Sequence, residues 1–262
     1  MAAEVEALLH RSPYELGGKR VRWRLQDIGR ALAWLNGCSE PGIYKVLKRL
    51  GFSRKQALGF IYSPDPEYHA KWRAILQAFA EAADHPEKVI ILFMDELTYF
   101  RRPDKAPAYH RTGKSQPHAL DAPKYNAQTR VVAALNGMTG RVTYMQRQMI
   151  GKEALPIFYA KIRAAYPQAE KIYIAQDNWP VHKLPEVMQS LQLLHLFPIF
   201  FPTYASWLNP IEKLWRWLKQ EVLHLHRWAD RVDQLRIKVI DWLDQFALGS
   251  EALLHYVGLM SD

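Results

Sequence analysis

The chain has 262 residues, of which 49% are hydrophobic and 23% charged, enough apolar content for a sizeable core in one large domain or two unequal ones. Its longest apolar runs, such as VIILFM, fall far short of the roughly 18 residues a membrane span needs, and Glu4 and Glu6 stand where a secretory leader would be basic and then apolar, so a cytoplasmic location is expected. A single cysteine, Cys38, excludes an internal disulfide and a thiolate metal site, and any metal must be held by oxygen or histidine.

The net charge of +9 is unevenly placed. Residues 11–55 hold eleven Lys or Arg against three acids, while the rest of the chain is close to balance. The N-terminal fifth therefore reads as a separate electrostatic unit suited to a polyanion. Within it, Leu25, Ile28, Leu32 and Leu35 recur at helical spacing up to Asn36 and Gly37. A second helix is expected from Ser39, with Pro41 in its first turn, an apolar stripe of Ile43, Val46, Leu47 and Leu50, and Gly51 at its end. Lys45, Lys48 and Arg49 fall on the other side of it. Two short helices and a basic exposed face have the layout of a helix-turn-helix, although any helical hairpin shares the pattern. Arg22, Arg24, Lys45, Lys48, Arg49, Arg54 and Lys55 are the candidate DNA contacts.

Pro64 and Pro66 mark a linker, followed by an amphipathic helix from Glu67 to Ala83. The expected units are thus a helix-turn-helix over 1–63, a linker and connecting helix over 64–86, and a third unit over 87–262. In the last, Val89 to Met94 reads as a buried strand. Residues 98–128 are Pro-, His- and Lys-rich and too irregular for a simple connection, a functional loop or a surface excursion. Thr129 to Leu135 and Val142 to Met149 suggest a hairpin, Lys152 to Ala165 a helix, and Ile172 to Ala175 a strand. A helix opening near Asn178, a strand over Leu194 to Phe200, a long helix from Asn209 and a last helix over Val232 to Phe246 follow. Strands first in a hairpin and then alternating with helices describe an α/β fold, a mixed sheet covered by helices.

Three acids stand at the ends of buried-looking elements. Asp95 follows KVIILFM, Asp177 follows KIYIAQ, and Glu212 opens the helix of NPIEKLW, with 34 residues between it and Asp177. Side chains alternate along a strand, so Asp95 and Glu96 point to opposite faces, and Asp95 is taken as the site residue. Carboxylates at strand ends, completed by a third from a helix, suit Mg2+ or Mn2+, and two such ions can act at a phosphodiester. Each acid also has a structural reading. Asn178 can cap a helix after Asp177, and Asn209 to Glu212 resembles a capping box. A metal-free glycosidase pair of Asp177 and Glu212 is a further alternative, which leaves the basic N-terminal unit unexplained.

The motifs FMDEL, QDNWPVH and FPTYASWLNPIEKLW, with the interval of 34 residues, resemble those of the DDE transposases of the mariner superfamily, in particular bacterial insertion sequence family 630. The resemblance covers roughly residues 85–250. It implies a ribonuclease H-like fold preceded by a small helix-turn-helix, winged-helix-like unit. It also implies a two-ion Mg2+ or Mn2+ site on Asp95, Asp177 and Glu212. The implied activity is cleavage at the terminal inverted repeats of an element and transfer of the 3′-hydroxyl to target DNA, usually at TA, by a homodimer or larger assembly on double-stranded DNA. An element-derived DNA-binding protein without effective catalysis is the alternative. His182 matches a supporting position, and Asn178 and Asn209 are expected to shape turns. Trp207, Trp215 and Trp217 lie beside Glu212 and invite a base-stacking reading; the stripe Leu208, Ile211, Leu214, Trp215 and Leu218 favours core packing, and Trp217, off the stripe, is the better DNA candidate of the three. Relatives commonly carry two helix-turn-helix units, and the sequence has room for one, as expected of a truncated or split copy. Where many relatives carry a Trp-Ala-Pro-type loop, this chain reads AYHRTGKSQP.

Overall fold

In a computed structural model of the protein, residues 1–55, 62–121, 123 and 125–260 are described, and the chain divides into two compact units, Met1–Phe60 and Ile61–Asp262. In the first, helices α1 (Ala2–Leu9), α2 (Leu25–Ala31) and α3 (Glu40–Arg49) enclose a small core of Val5, Ile28, Leu32, Leu35, Ile43 and Leu47. The helix expected from Leu25 to Leu35 breaks at Leu32, whose backbone is extended, and resumes as a 3-10 turn over Ala33–Leu35. Gly29 lets α2 and α3 approach, since a Cβ there would lie 2.6 Å from Ile43 Cδ1. Lys45, Lys48 and Arg49 are exposed on α3, and Arg22, Arg24, Arg54 and Lys55 are exposed outside it.

The second unit is built on a five-stranded sheet in the order β3-β2-β1-β4-β5, formed by β1 (Val89–Phe100), β2 (Gln128–Asn136), β3 (Val142–Arg147), β4 (Lys171–Gln176) and β5 (Leu196–Phe200). The pairs β1–β2 and β2–β3 are antiparallel, while β1–β4 and β4–β5 are parallel. Alternation along β1 splits the core. Ile91, Phe93, Leu97 and Tyr99 face α4 (Tyr68–Asp84), α7 (Ile211–Leu218) and α8 (Val232–Asp244). Ile90, Leu92 and Met94 face α5 (Ala154–Ala165) and α6 (Pro185–Leu193). A short helix α9 (Glu251–Val257) closes the described fold. This is the expected ribonuclease H-like mixed sheet flanked by helices.

Several boundaries differ from the sequence reading. Strand β1 does not stop at Met94 but runs on to Phe100, because Asp95 to Phe100 pair with Ala133 to Gln128 of β2. Asp95 therefore lies inside a strand, two residues beyond the last parallel pair, Phe93 with Ala175. The helix expected near Asn178 starts as a 3-10 turn, Pro180–Lys183, and becomes α6 only at Pro185. Helix α7 continues as a π-helical turn, Lys219–Leu223. Between Arg101 and Ala127 the described residues form no helix or strand; positions 122 and 124 of that loop lie outside the described residues. Among the described residues no helix is long and apolar enough to cross a membrane.

Candidate active site

The parallel register of β1 and β4 places two of the acids side by side. Two residues beyond the paired Phe93 and Ala175, which share one core face, come Asp95 and Asp177, pointing to that same face. The third acid arrives on α7, whose Ile211, Leu214, Trp215 and Leu218 are buried against the sheet and leave Glu212 beside the strand ends. Asn209 fixes this approach: its Nδ2 donates to the Met94 carbonyl at 3.1 Å, and its Oδ1 accepts from the Ile211 N–H at 3.4 Å. The first turn of α7 is thereby tied to β1 one residue before Asp95. Asp95, Asp177 and Glu212 together line a cleft of about 510 Å³.

The capping readings do not describe these acids. Asn209 has its side chain on Ile211 and Met94, and helix α7 carries no side-chain cap from Glu212. Asp177 Oδ1 accepts from the Trp179 N–H at 3.0 Å, so the aspartate itself forms the turn expected of Asn178. Asn178 instead donates to the Phe201 carbonyl and accepts from Lys183, joining the ends of β4 and β5.

Electrostatically the three acids differ. Asp95 is half-buried, and desolvation with the charges of Glu96 and Glu212 pushes it up to about 8, against hydrogen bonds from the Glu96 backbone and from Trp215 Nε1, 3.0 Å away. Glu212 is raised by partial desolvation, against the pull of Lys219 and Arg216. Burial raises Asp177 too, but the hydrogen bonds from His182 and Trp179 prevail and hold it below the usual aspartate range. Desolvation is the main reason that two of the carboxyls are driven upward, and a cation bound between them would offset that cost. An all-oxygen donor set of this kind fits Mg2+ or Mn2+.

His182 is buried, with Nδ1 3.1 Å from Asp177 Oδ1 and Nε2 3.1 Å from Glu96 Oε1. Burial opposes its charge, yet the two carboxylates outweigh it and push the imidazole up to about 9. Donor atoms of Glu96, Asp177 and His182 lie within 4.8 Å of one another, close enough to hold a metal ion. With both imidazole nitrogens already engaged, the cluster reads more simply as an ion-pair buttress behind Asp177. The choice of Asp95 over Glu96 put Glu96 outside the site. Its side chain does leave the opposite face of β1, but His182 joins it to the same Asp177. No local signal in the sequence could have found it, since the link spans 86 residues.

The tryptophans sort differently from expectation. Trp215 is buried as expected but also donates to Asp95. Trp217, the better DNA candidate by its place off the stripe, packs instead in an aromatic group with Tyr256, Trp242 and Phe246, its ring centroid 4.6 Å from that of Tyr256. Helices α8 and α9 cover the position that is off the α7 stripe. It is Trp207, 49% exposed, that lines the cleft.

Residues 90–236 match the family described as DDE superfamily endonuclease, which is over half of the chain. The insertion element IS630 uncharacterized 39 kDa protein of Shigella sonnei is 24% identical over 224 residues, 84% of this chain. The chain spans 64% of the length of that relative. Among solved structures, the Mos1 transposase paired-end complex with left transposon end matches with a TM-score of 0.68 at 15% identity, over 98% of this chain and 74% of that one. A pre-cleavage Mos1 transpososome matches with a TM-score of 0.67 at 15% identity, over 99% and 74%. At that identity the likeness carries the fold.

Proposed function

This chain belongs to the DDE superfamily of endonucleases, and on that premise we propose that it is a transposase of the insertion sequence 630 and mariner group, cutting DNA at the ends of its element. The observation that carries the reading is the convergence of Asp95, Asp177 and Glu212 on one cleft from β1, β4 and α7. These three residues would hold two divalent ions. Bound there, Mg2+ or Mn2+ would supply Lewis-acid chemistry at the scissile phosphodiester, activating the attacking oxygen and stabilising the leaving one.

The chain's own residues prepare that chemistry. Asp177 has Oδ1 occupied by His182 and Trp179, which fixes the carboxylate plane and leaves Oδ2 for a ligand in the cleft. The Trp215 indole N–H restrains Asp95 in the same way, and Asn209 sets the distance between α7 and β1. The nucleophiles in this reading are water and then the freed 3′-hydroxyl, which is joined to target DNA at a TA step. The protein acts as a homodimer or larger assembly, with double-stranded DNA held by Arg22, Arg24, Lys45, Lys48, Arg49, Arg54 and Lys55. Similarity to Mos1 complexes described with transposon ends and with Mn supports DNA and metal as ligands.

The test is nicking of supercoiled plasmid and of DNA carrying the flanking repeats, with Mg2+ or Mn2+. Asp95→Ala, Asp177→Asn and Glu212→Gln, each confirmed to be folded, are expected to lose activity by about a thousandfold. Nicking that survives chelation, or that survives all three substitutions, would falsify the assignment. Binding without nicking by the wild-type chain would make it a DNA-binding relative instead.

A further inference from the structure

The solvent side of helix α3 has two chemically different halves. Ile43, Val46, Leu47 and Leu50 turn inward to the small core of the first unit. Pro41, Tyr44, Lys45 and Lys48, spaced at i, i+3, i+4 and i+7, form the opposite face, and all four are exposed. The cations occupy the C-terminal half of the helix, with Arg49 beside them in its last turn. The N-terminal half reads Glu40, Pro41, Gly42, Ile43 and Tyr44 and carries no cation.

No contact among the described residues accounts for the tyrosine ring. Tyr44 is 50% exposed and does not pack against the core of its unit. Among the described residues it also has no hydrogen-bond or ring partner. The helix beneath it is nonetheless firmly seated, since its neighbour Ile43 and Leu47 are buried in that core. The ring is thus displayed from a rigid element, as a residue that reads a partner must be.

In a helix-turn-helix the N-terminal residues of the second helix meet base edges in the major groove. Between Glu40 and Tyr44, α3 has no Arg, Lys, Asn or Gln, the side chains that read guanine or adenine by paired hydrogen bonds. Glu40 can only accept, which suits a cytosine amino group and not thymine. What remains there is the aromatic ring, and the base-edge feature that an apolar surface reads is the C5-methyl group of thymine. Lys45, Lys48 and Arg49, further along, carry the charge that phosphates attract.

We propose that Tyr44 is a base-reading residue of the first unit, its ring packed on the C5-methyl group of one thymine in the major groove. This rests on the reading that the first unit holds double-stranded DNA, and it deepens that reading from charge to sequence. The cations of α3 supply affinity for any duplex, and Tyr44 supplies a preference for one A·T pair in one orientation. The ring does this and the hydroxyl does not, so phenylalanine can take its place.

The test uses the full chain and needs neither metal nor cleavage. The duplex that wild type prefers is selected from a pool with a randomised window. Its thymines are then replaced one at a time by deoxyuridine, which pairs with adenine in the same way and lacks only the methyl group. Wild type and Tyr44→Phe are expected to lose about 3- to 10-fold in affinity at the same single thymine. Tyr44→Ala is expected to be indifferent to that replacement, with its Tm and the salt dependence of its binding unchanged. Tyr44→Ala that stays as sensitive as wild type overturns the proposal, and so does Tyr44→Phe that behaves like Tyr44→Ala, by moving the contact to the hydroxyl. A wild-type chain that retains duplex but is insensitive at every thymine overturns the base reading alone. One that retains no duplex overturns it together with the DNA grip on which it rests.

Discussion

Both nitrogens of His182 face carboxylates, so Glu96 steadies from behind the imidazole that orients Asp177. Glu96→Gln keeps an acceptor for the Nε2–H but removes the charge that sustains a buried imidazolium. Asp177 would then be less well fixed for a metal ion, while the three proposed ligands stay in place. The expected result is a rise of about 10- to 100-fold in the Mg2+ concentration giving half-maximal nicking, with little change in the rate at saturating metal. A metal titration of wild type and variant decides it. An unchanged half-saturation point would reduce Glu96 to a core residue that happens to be charged. Asp177 was legible in the sequence because an acid ending an apolar strand is conspicuous. Glu96 and Trp215 were not, because their roles depend on partners 86 and 120 residues away. Trp217 misled for the opposite reason: the α7 stripe was read as the only buried face, and α8 and α9 cover a second one.

At the scale of elements, the segment ahead of α4 acts as a strap on the cleft loop. Asp65 is the centre of it, accepting from Lys71 Nζ at 2.8 Å, from the Thr203 N–H at 2.8 Å and from the Glu67 N–H at 2.9 Å. The Lys71 hydrogen bond, with those from the Thr203 and Glu67 backbones, holds its carboxyl far below the usual aspartate range. A depressed pKa in the folded state means that the stabilisation is present above the unfolded value and is lost as pH falls through the folded one. Asp65→Asn should therefore lower the Tm at pH 7, and the gap from wild type should start to close as the pH drops below about 4. Thermal melts at pH 7, 4 and 3 measure this, and a gap that persists unchanged at pH 3 would show that charge is not what holds the strap. The strap was invisible in the sequence, where Pro64 and Pro66 announced a linker and nothing linked Ser63 or Asp65 to a loop about 140 residues on. Strand β1 was legible only as far as Met94. Asp95 and Glu96 interrupt its apolar run, and the strand continues because β2 pairs with it on to Phe100. Helix α1 left little trace, since among its eight residues only Val5 is buried.

For the whole molecule, charge and chemistry belong to different stretches of the chain: the excess of Lys and Arg lies in residues 11–55, and the three acids lie beyond Val89. If the first unit is the one that grips DNA, its exposed cations set how binding responds to salt, because each phosphate neutralised releases counterions. Seven such contacts, from Arg22, Arg24, Lys45, Lys48, Arg49, Arg54 and Lys55, give a slope of log K against log salt of about −6. Replacing Lys45, Lys48 and Arg49 on α3 with glutamine should make that slope shallower by about 3, and should cost little stability because all three side chains are exposed. Filter binding or fluorescence anisotropy on element-end DNA between 50 and about 200 mM salt measures the slope directly. A weaker affinity with the slope unchanged would mean that the three residues act other than through phosphates. An unchanged affinity and slope would move the grip to cations of the second unit, Lys183, Arg216 and Lys219, which flank the cleft. In that case the first unit's charge would need another anionic partner, and substituting Lys183 and Arg216 together should produce the shallower slope instead.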